Sequence, residues 1–159
     1  MSNESRPFTA AAELRNTKET EALGARIARG LMRGSAVTLE GDLGAGKTTL
    51  ARAILRALGV TEHVPSPTFT LVQSYETENF PVRHFDLYRV ETESELDELG
   101  LDEALDEGAA LIEWPERAPH RLPPNALHVA LSVTGEGSRR AALHGPASWN
   151  SLFEDARGG

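Results

Sequence analysis

Ala36-Val37-Thr38-Leu39-Glu40-Gly41-Asp42-Leu43-Gly44-Ala45-Gly46-Lys47-Thr48 is the stretch on which the reading of the fold turns. Its first five residues read as a short strand, and Gly41 to Thr48 fit the spacing G-x-x-x-x-G-K-[ST] at every constrained position. Given a glycine frequency near ~7%, roughly one chain in a few hundred of this length would match by chance. The context argues against chance. Thr49 to Leu58 follow as an amphipathic helix with Leu50, Ile54 and Leu58 on one stripe and Gly59 as its stop. Strand, glycine loop and helix in that order form a phosphate-binding unit. Glycines let successive backbone N–H groups point inward at an anion, and the helix adds its positive end. In such a loop Lys47 reaches the β- and γ-phosphates, and the Thr48 hydroxyl ligates Mg²⁺. The chain therefore reads first as a binder of a nucleoside triphosphate.

Outward from this unit, Lys18 to Met32 predict a helix, with Leu23, Ile27 and Leu31 in register and Thr17 as its cap. Downstream, Val64-Pro65-Ser66-Pro67-Thr68 is a proline-stiffened connection. Phe69–Tyr75 and Val82–Val90 read as a hairpin across the polar turn 76–79. Glu95 to Leu105 predict one or two short acidic helices broken at Gly100. Ala109-Ala110-Leu111-Ile112 is an apolar run of the kind buried on both faces of a sheet. Leu127–Val133 and Arg140–Leu143 add two strands. Residues 1–8 are expected to be disordered, 9–145 to form one domain, and 146–159 to be a weak helix or frayed tail. The expected fold is an α/β three-layer sandwich of the phosphate-loop type, with a mixed, largely parallel sheet that includes a β-hairpin.

Composition narrows the function. Apolar residues make up 40% and charged residues 25% of the 159 positions, which is ordinary for a soluble globular domain. No run is long enough to span a membrane, and the N-terminus lacks the layout of a secretory signal. The absence of cysteine excludes disulfides and thiolate metal sites and is compatible with a cytoplasmic location. A net charge of −8 argues against strong direct binding of nucleic acid. Residues 91–116 carry eleven acids and no Lys or Arg, readable as a solvated face or as a docking surface for a basic partner. Lys47 is one of only two lysines in the chain.

Ligands in such sheets sit beyond the carboxyl ends of the strands, so acids there are the candidates for chemistry. Glu113 directly follows the apolar run, and Asp86 lies within the second hairpin strand. Hydrolysis requires an acid at Mg²⁺ and a group that orients the attacking water. The plain alternative for each is an exposed strand-end carboxylate. Thr68 is a candidate γ-phosphate sensor, although Ser66 and Thr68 serve equally well as turn formers between prolines. Asp97-Glu98-Leu99-Gly100 fits D-x-x-G but sits in an acidic helical stretch and is read as a decoy. No N-K-x-D motif selects guanine. His84 is expected to be packed or hydrogen-bonded rather than a metal ligand, Arg89 to make a surface or structural ion pair rather than to supply charge to a transition state, and Tyr88 and Trp114 to be core or pocket-wall aromatics rather than base stackers.

Four blocks in order give the chain a resemblance to the TsaE family of small bacterial ATPases required for threonylcarbamoyladenosine in tRNA. They are Gly41 to Thr49, Ser66-Pro67-Thr68-Phe69-Thr70-Leu71, His84-Phe85-Asp86-Leu87-Tyr88-Arg89 and Ile112-Glu113-Trp114-Pro115-Glu116. The resemblance spans roughly residues 17–133. It implies ATP and Mg²⁺ as cofactors, with Gly44, Ala45, Gly46, Lys47, Thr48 and Thr49 cradling the phosphates, Thr48 and Asp86 at the metal, Glu113 orienting or activating the attacking water close to it, Trp114 in support, and Thr68 in a switch-like loop. It also implies TsaD-like and TsaB-like partners, with nucleotide turnover driving or resetting the cycle. Two other readings stay open: a small-molecule kinase, against which the acidic 91–107 segment counts, and a nucleotide-gated binding module with incidental hydrolysis.

Overall fold

Alternating side-chain direction along the strands and a stripe in each helix sort the apolar residues onto two faces of one sheet. The computed structural model describes residues 6–68 and 70–153. The elements are β1 (Phe8–Leu14), α1 (Thr17–Gly30), β2 (Ala36–Glu40), α2 (Lys47–Ala57), β3 (Val72–Tyr75), β4 (Val82–Asp86), α3 (Ser94–Leu99), α4 (Leu101–Glu107), β5 (Ala109–Glu113), β6 (Leu127–Gly135) and β7 (Ser138–Gly145). The sheet order is β1-β7-β6-β2-β5-β4-β3. β6, β2, β5 and β4 run parallel, and β3, β7 and β1 join by antiparallel pairing. This is the expected mixed, largely parallel sheet.

One core lies between the sheet and the pair α1–α2, where Ile27, Leu50 and Ile54 pack on Val37, Leu39, Leu111 and Leu127. Full burial of each such aliphatic side chain stabilises the fold by about 1.5–3 kcal/mol. The opposite face packs Leu96, Leu101 and Ala104 on Phe85, Ala110 and Ile112, completing three layers. The two helices of the first core touch closely because α1 carries Gly24, where an added Cβ would stand 2.6 Å from the Ala53 Cβ. Among the described residues, no helix is long and apolar enough to cross a membrane.

Several boundaries differ from the sequence reading. The stretch expected to be disordered ends on Phe8, which is fully buried as the first residue of β1. β1 itself was not foreseen, because its inward positions Ala10 and Ala12 have little strand propensity. The cap of α1 is Asn16, whose side chain accepts from the Glu19 N–H, in place of Thr17. Leu87 to Val90 leave the sheet, since the Asp86 carboxylate accepts the Tyr88 N–H at 3.0 Å and turns the chain there. β3 begins at Val72, and Phe69 lies outside the described residues, as do 1–5 and 154–159. Residues 147–153 of the tail form a 3₁₀ helix whose Trp149 and Phe153 are buried. The acidic segment folds as the two short helices, with Gly100 (φ 82°) between them. Asp97 there pairs with Arg121 at 3.3 Å, in keeping with the decoy reading of D-x-x-G.

Candidate functional site

β2 runs into the glycine loop and α2 leaves it, so the loop lies at the carboxyl edge of the parallel strands. Gly44 (φ 81°) and Gly46 (φ 100°) adopt the left-handed conformation that lets the loop wrap. Gly41 is needed on contact grounds as well, since an added Cβ would come within 2.5 Å of the Leu131 carbonyl oxygen. The Ala45 N–H closes the turn onto Asp42 O at 3.0 Å, and α2 begins at Lys47.

On the sheet face that carries α2, alternate residues are apolar until the carboxyl ends, where they become His84, Asp86 and Glu113. Asp86 and Glu113 are register partners on β4 and β5. Both are 3% exposed, so neither is the exposed strand-end carboxylate of the plain alternative. Burial of two adjacent carboxylates demands donors, and the structure supplies them. Glu113 accepts the Thr48 hydroxyl at 3.0 and 3.2 Å and stands 2.6 Å from His84 Nε2. Asp86 accepts the Thr68 hydroxyl at 3.1 Å and the Tyr88 N–H. His84 Nδ1 is buried without a hydrogen-bond partner. That arrangement suits the tautomer carrying its proton on Nε2 and donating it to Glu113. The sequence expectation of a hydrogen-bonded His84 is met.

Lys47 is 5% exposed; its ammonium donates to the Gly41 and Asp42 carbonyls and lies 3.7 Å from the centre of the Trp114 ring. Burial lowers its pKa from the ordinary lysine value, while Glu113, Glu116, Asp86 and Asp42 pull in the other direction. Trp114 is held at φ 59° and packs against Tyr88 with the rings tilted by 49° and their centres 4.8 Å apart. Thr68 is further tied to Ser66 at 2.8 Å, and Arg89 is exposed in the turn after β4. Thr49 is exposed on the first turn of α2 and lines a neighbouring cleft with Asn16, Thr17, Leu131 and Arg139. Gly44, Ala45, Gly46, Lys47, Thr48, Thr68, Asp86, Glu113 and Trp114 thus converge on one edge, with Thr49 at its rim.

Sequence reading missed Arg139. From the start of β7 its Nε donates to Ala45 O at 3.1 Å and its Nη2 to Gly44 O at 3.0 Å. Nothing in spacing or periodicity marks an arginine 94 residues beyond Ala45 as a loop contact, and only the β1-β7-β6 pairing brings it there.

The oxygen donors at this edge are Thr48, Asp86 and Glu113, and among the described residues no three His, Cys, Asp or Glu side chains form a cage for a metal. Few protein oxygens beside a phosphate loop suit Mg²⁺, which keeps several waters and takes the rest of its shell from phosphates.

Comparison with known proteins agrees with the blocks. The model of the family described as threonylcarbamoyl adenosine biosynthesis protein TsaE matches residues 14–141. The tRNA threonylcarbamoyladenosine biosynthesis protein TsaE of Rickettsia felis is 41% identical over 142 residues, covering 89% of this chain and 83% of that protein. Its Bacillus subtilis namesake is 41% identical over 125 residues, 78% of each chain. The crystal structure of Bacillus subtilis YdiB superposes with a TM-score of 0.78 at 30% identity, covering 94% of this chain and 95% of the other. With the family's blocks gathered at one sheet edge and its model matching 14–141, the chain belongs to the TsaE family.

Proposed function

We propose that this chain is an Mg²⁺-dependent ATPase that acts with TsaD-like and TsaB-like proteins in threonylcarbamoylation of the adenosine beside the tRNA anticodon. The observation that carries the reading is the placement of Glu113. Its carboxylate is buried at the end of β5 and held against the hydroxyl of Thr48, the magnesium-ligating position of the loop motif, at 3.0 Å. An acid that close to the metal position is where hydrolysis needs the group that orients water.

In this reading the N–H groups of Gly44 to Thr49 and the end of α2 bind the phosphates, and Lys47 leaves the loop carbonyls to pair with the β- and γ-phosphates. Thr48 and Asp86 would hold Mg²⁺, whose positive charge would offset the charge developing on the transferred phosphoryl group. Glu113 orients the attacking water and takes its proton, with His84 fixing the carboxylate from behind. Thr68, bonded to Asp86, links the connection after α2 to the same edge. Trp114 faces Lys47 and excludes solvent from it. The net charge of −8 is consistent with a protein that leaves tRNA to its partners.

The test is Mg²⁺-dependent ATP hydrolysis by the purified chain, alone and with a matching TsaD–TsaB pair. Weak turnover alone, a clear rise with the pair and loss of that rise in Glu113→Ala are expected. Absence of any rise with the pair would overturn the partnership, and turnover surviving in Glu113→Ala would overturn the role of that residue.

A further inference from the structure

We infer that Arg139 is a positioning residue of the phosphate loop, acting from the β6–β7 hairpin by holding two successive loop carbonyls. The inference rests on the phosphate-binding reading of the loop. β7 is an interior strand. Arg139 is paired with Leu14 of β1 on one side and Val133 of β6 on the other, so its backbone is fixed by the sheet. Its guanidinium is fixed as well. Nε reaches Ala45 O, Nη2 reaches Gly44 O, and Nη1 returns to Ser138 O at 2.9 Å. These partners are carbonyls, whereas the neighbouring Arg140 makes an ordinary exposed ion pair with Glu13.

The consequence follows from peptide geometry. In a trans peptide the C=O and the following N–H point to opposite sides. Drawing the Ala45 carbonyl toward Arg139 therefore directs the Gly46 N–H to the other side, into the concave loop where an anion would sit. The guanidinium packs directly behind this point, 3.8 Å from where a Cβ on Gly46 would stand. A loop with glycines at 41, 44 and 46 loses much backbone entropy when a ligand orders it. Fixing its carbonyls beforehand removes part of that cost. The planar fork of arginine holds two carbonyls in one fixed relative geometry, which the freely rotating ammonium of lysine does not impose.

The experiment compares the wild-type chain with Arg139→Met and Arg139→Lys, titrating ATP and inorganic tripolyphosphate in Mg²⁺ by calorimetry. Hydrogen exchange of the ligand-free proteins is followed in parallel. Arg139→Met should weaken both ligands by the same factor, about tenfold or 1.4 kcal/mol. Arg139→Lys should recover only part of the loss. Amides 44–48 should exchange faster in Arg139→Met while those of β2, β5 and β6 keep wild-type protection. The inference is overturned if Arg139→Lys equals wild type, since charge alone would then suffice. It is also overturned if Arg139→Met leaves binding and exchange unchanged, or weakens ATP but not tripolyphosphate. A wild-type chain that binds neither ligand would instead count against the nucleotide reading, and the exchange comparison would still decide whether Arg139 holds the loop.

Discussion

The contact between His84 and Glu113 offers a quantitative test of how the site is supported. His84→Leu removes a donor 2.6 Å from a carboxylate that is 3% exposed, leaving Glu113 with the Thr48 hydroxyl as its remaining donor. Leaving a buried carboxylate short of one hydrogen-bond donor costs about 3 kcal/mol or more. The loss is offset because the substitution also removes the unpartnered Nδ1, whose burial costs about 1–3 kcal/mol. The net expectation is a destabilisation of about 2 kcal/mol, or about 4–8 °C in Tm for a chain of this size. Glu113→Met leaves both ring nitrogens of His84 without partners but relieves repulsion from Asp86 on the next strand, so a loss of about 1–2 kcal/mol is expected. In the double variant neither group is left behind. It should therefore be less destabilised than the sum of the single variants by about 2 kcal/mol, a coupling within the range of contacting polar pairs. Urea unfolding of the four proteins measures this directly. Additivity within about 0.5 kcal/mol would show that the two side chains do not support each other, and would remove the argument that His84 holds Glu113.

Three further outcomes follow from separate contacts. Thr48→Val removes the hydroxyl at the proposed magnesium position, so ATP binding measured by calorimetry should lose its Mg²⁺ dependence while weak binding in EDTA persists. Gly24→Ala pushes a Cβ to 2.6 Å from the Ala53 side chain and 2.9 Å from its backbone. The overpacking cost of about 1–3 kcal/mol should exceed the gain of about 1 kcal/mol in helix propensity and lower the urea midpoint. His128, hydrogen-bonded to Thr38 and stacked on His144, has its pKa lowered by burial first and His144 second. The unfolded chain therefore takes up the proton more readily, and this part of the stability is present above pH ~6.5 and lost as pH falls through the folded value. His128→Gln should flatten that portion of the Tm–pH curve.

How far the site was legible depends on how each residue declares itself. The glycine loop is local: its spacing, strand and helix lie within two dozen residues, so sequence alone places it. Glu113 is marked because an apolar run with no polar interruption must be buried on both faces, and the first polar residue after it must emerge at the ligand edge. Asp86 was legible as a strand acid, although its turn was not, because an Asx contact depends on a side chain competing with the ladder for one N–H. β1 escaped because alanines at alternate positions carry almost no strand signal, and its stability comes from pairing along β7. Arg139 escaped for the same reason at longer range. Its partners are backbone carbonyls, which have no sequence identity to match.

The buried charged side chains Lys47, Asp86 and Glu113 and the backbone strain lie at the same edge. Leu71 and Trp114 are the non-glycine residues of positive φ among those described. The first accepts the Asp86 N–H at 2.9 Å and the second directly follows Glu113. Such backbone costs of order 1–3 kcal/mol each, and both stand where the strands present their acids. Lys47 is desolvated at the same place, and His84 carries an unpartnered nitrogen there. A sheet built only for stability would continue its apolar alternation through 84, 86 and 113, as it does at 82, 111 and 39. That it stops doing so on one face, at one edge, beside the glycine loop, separates the residues that hold this fold together from those that make demands on it. Substitutions that relax this edge should therefore tend to stabilise the chain where they do not strand a buried partner, and weaken whatever the loop binds.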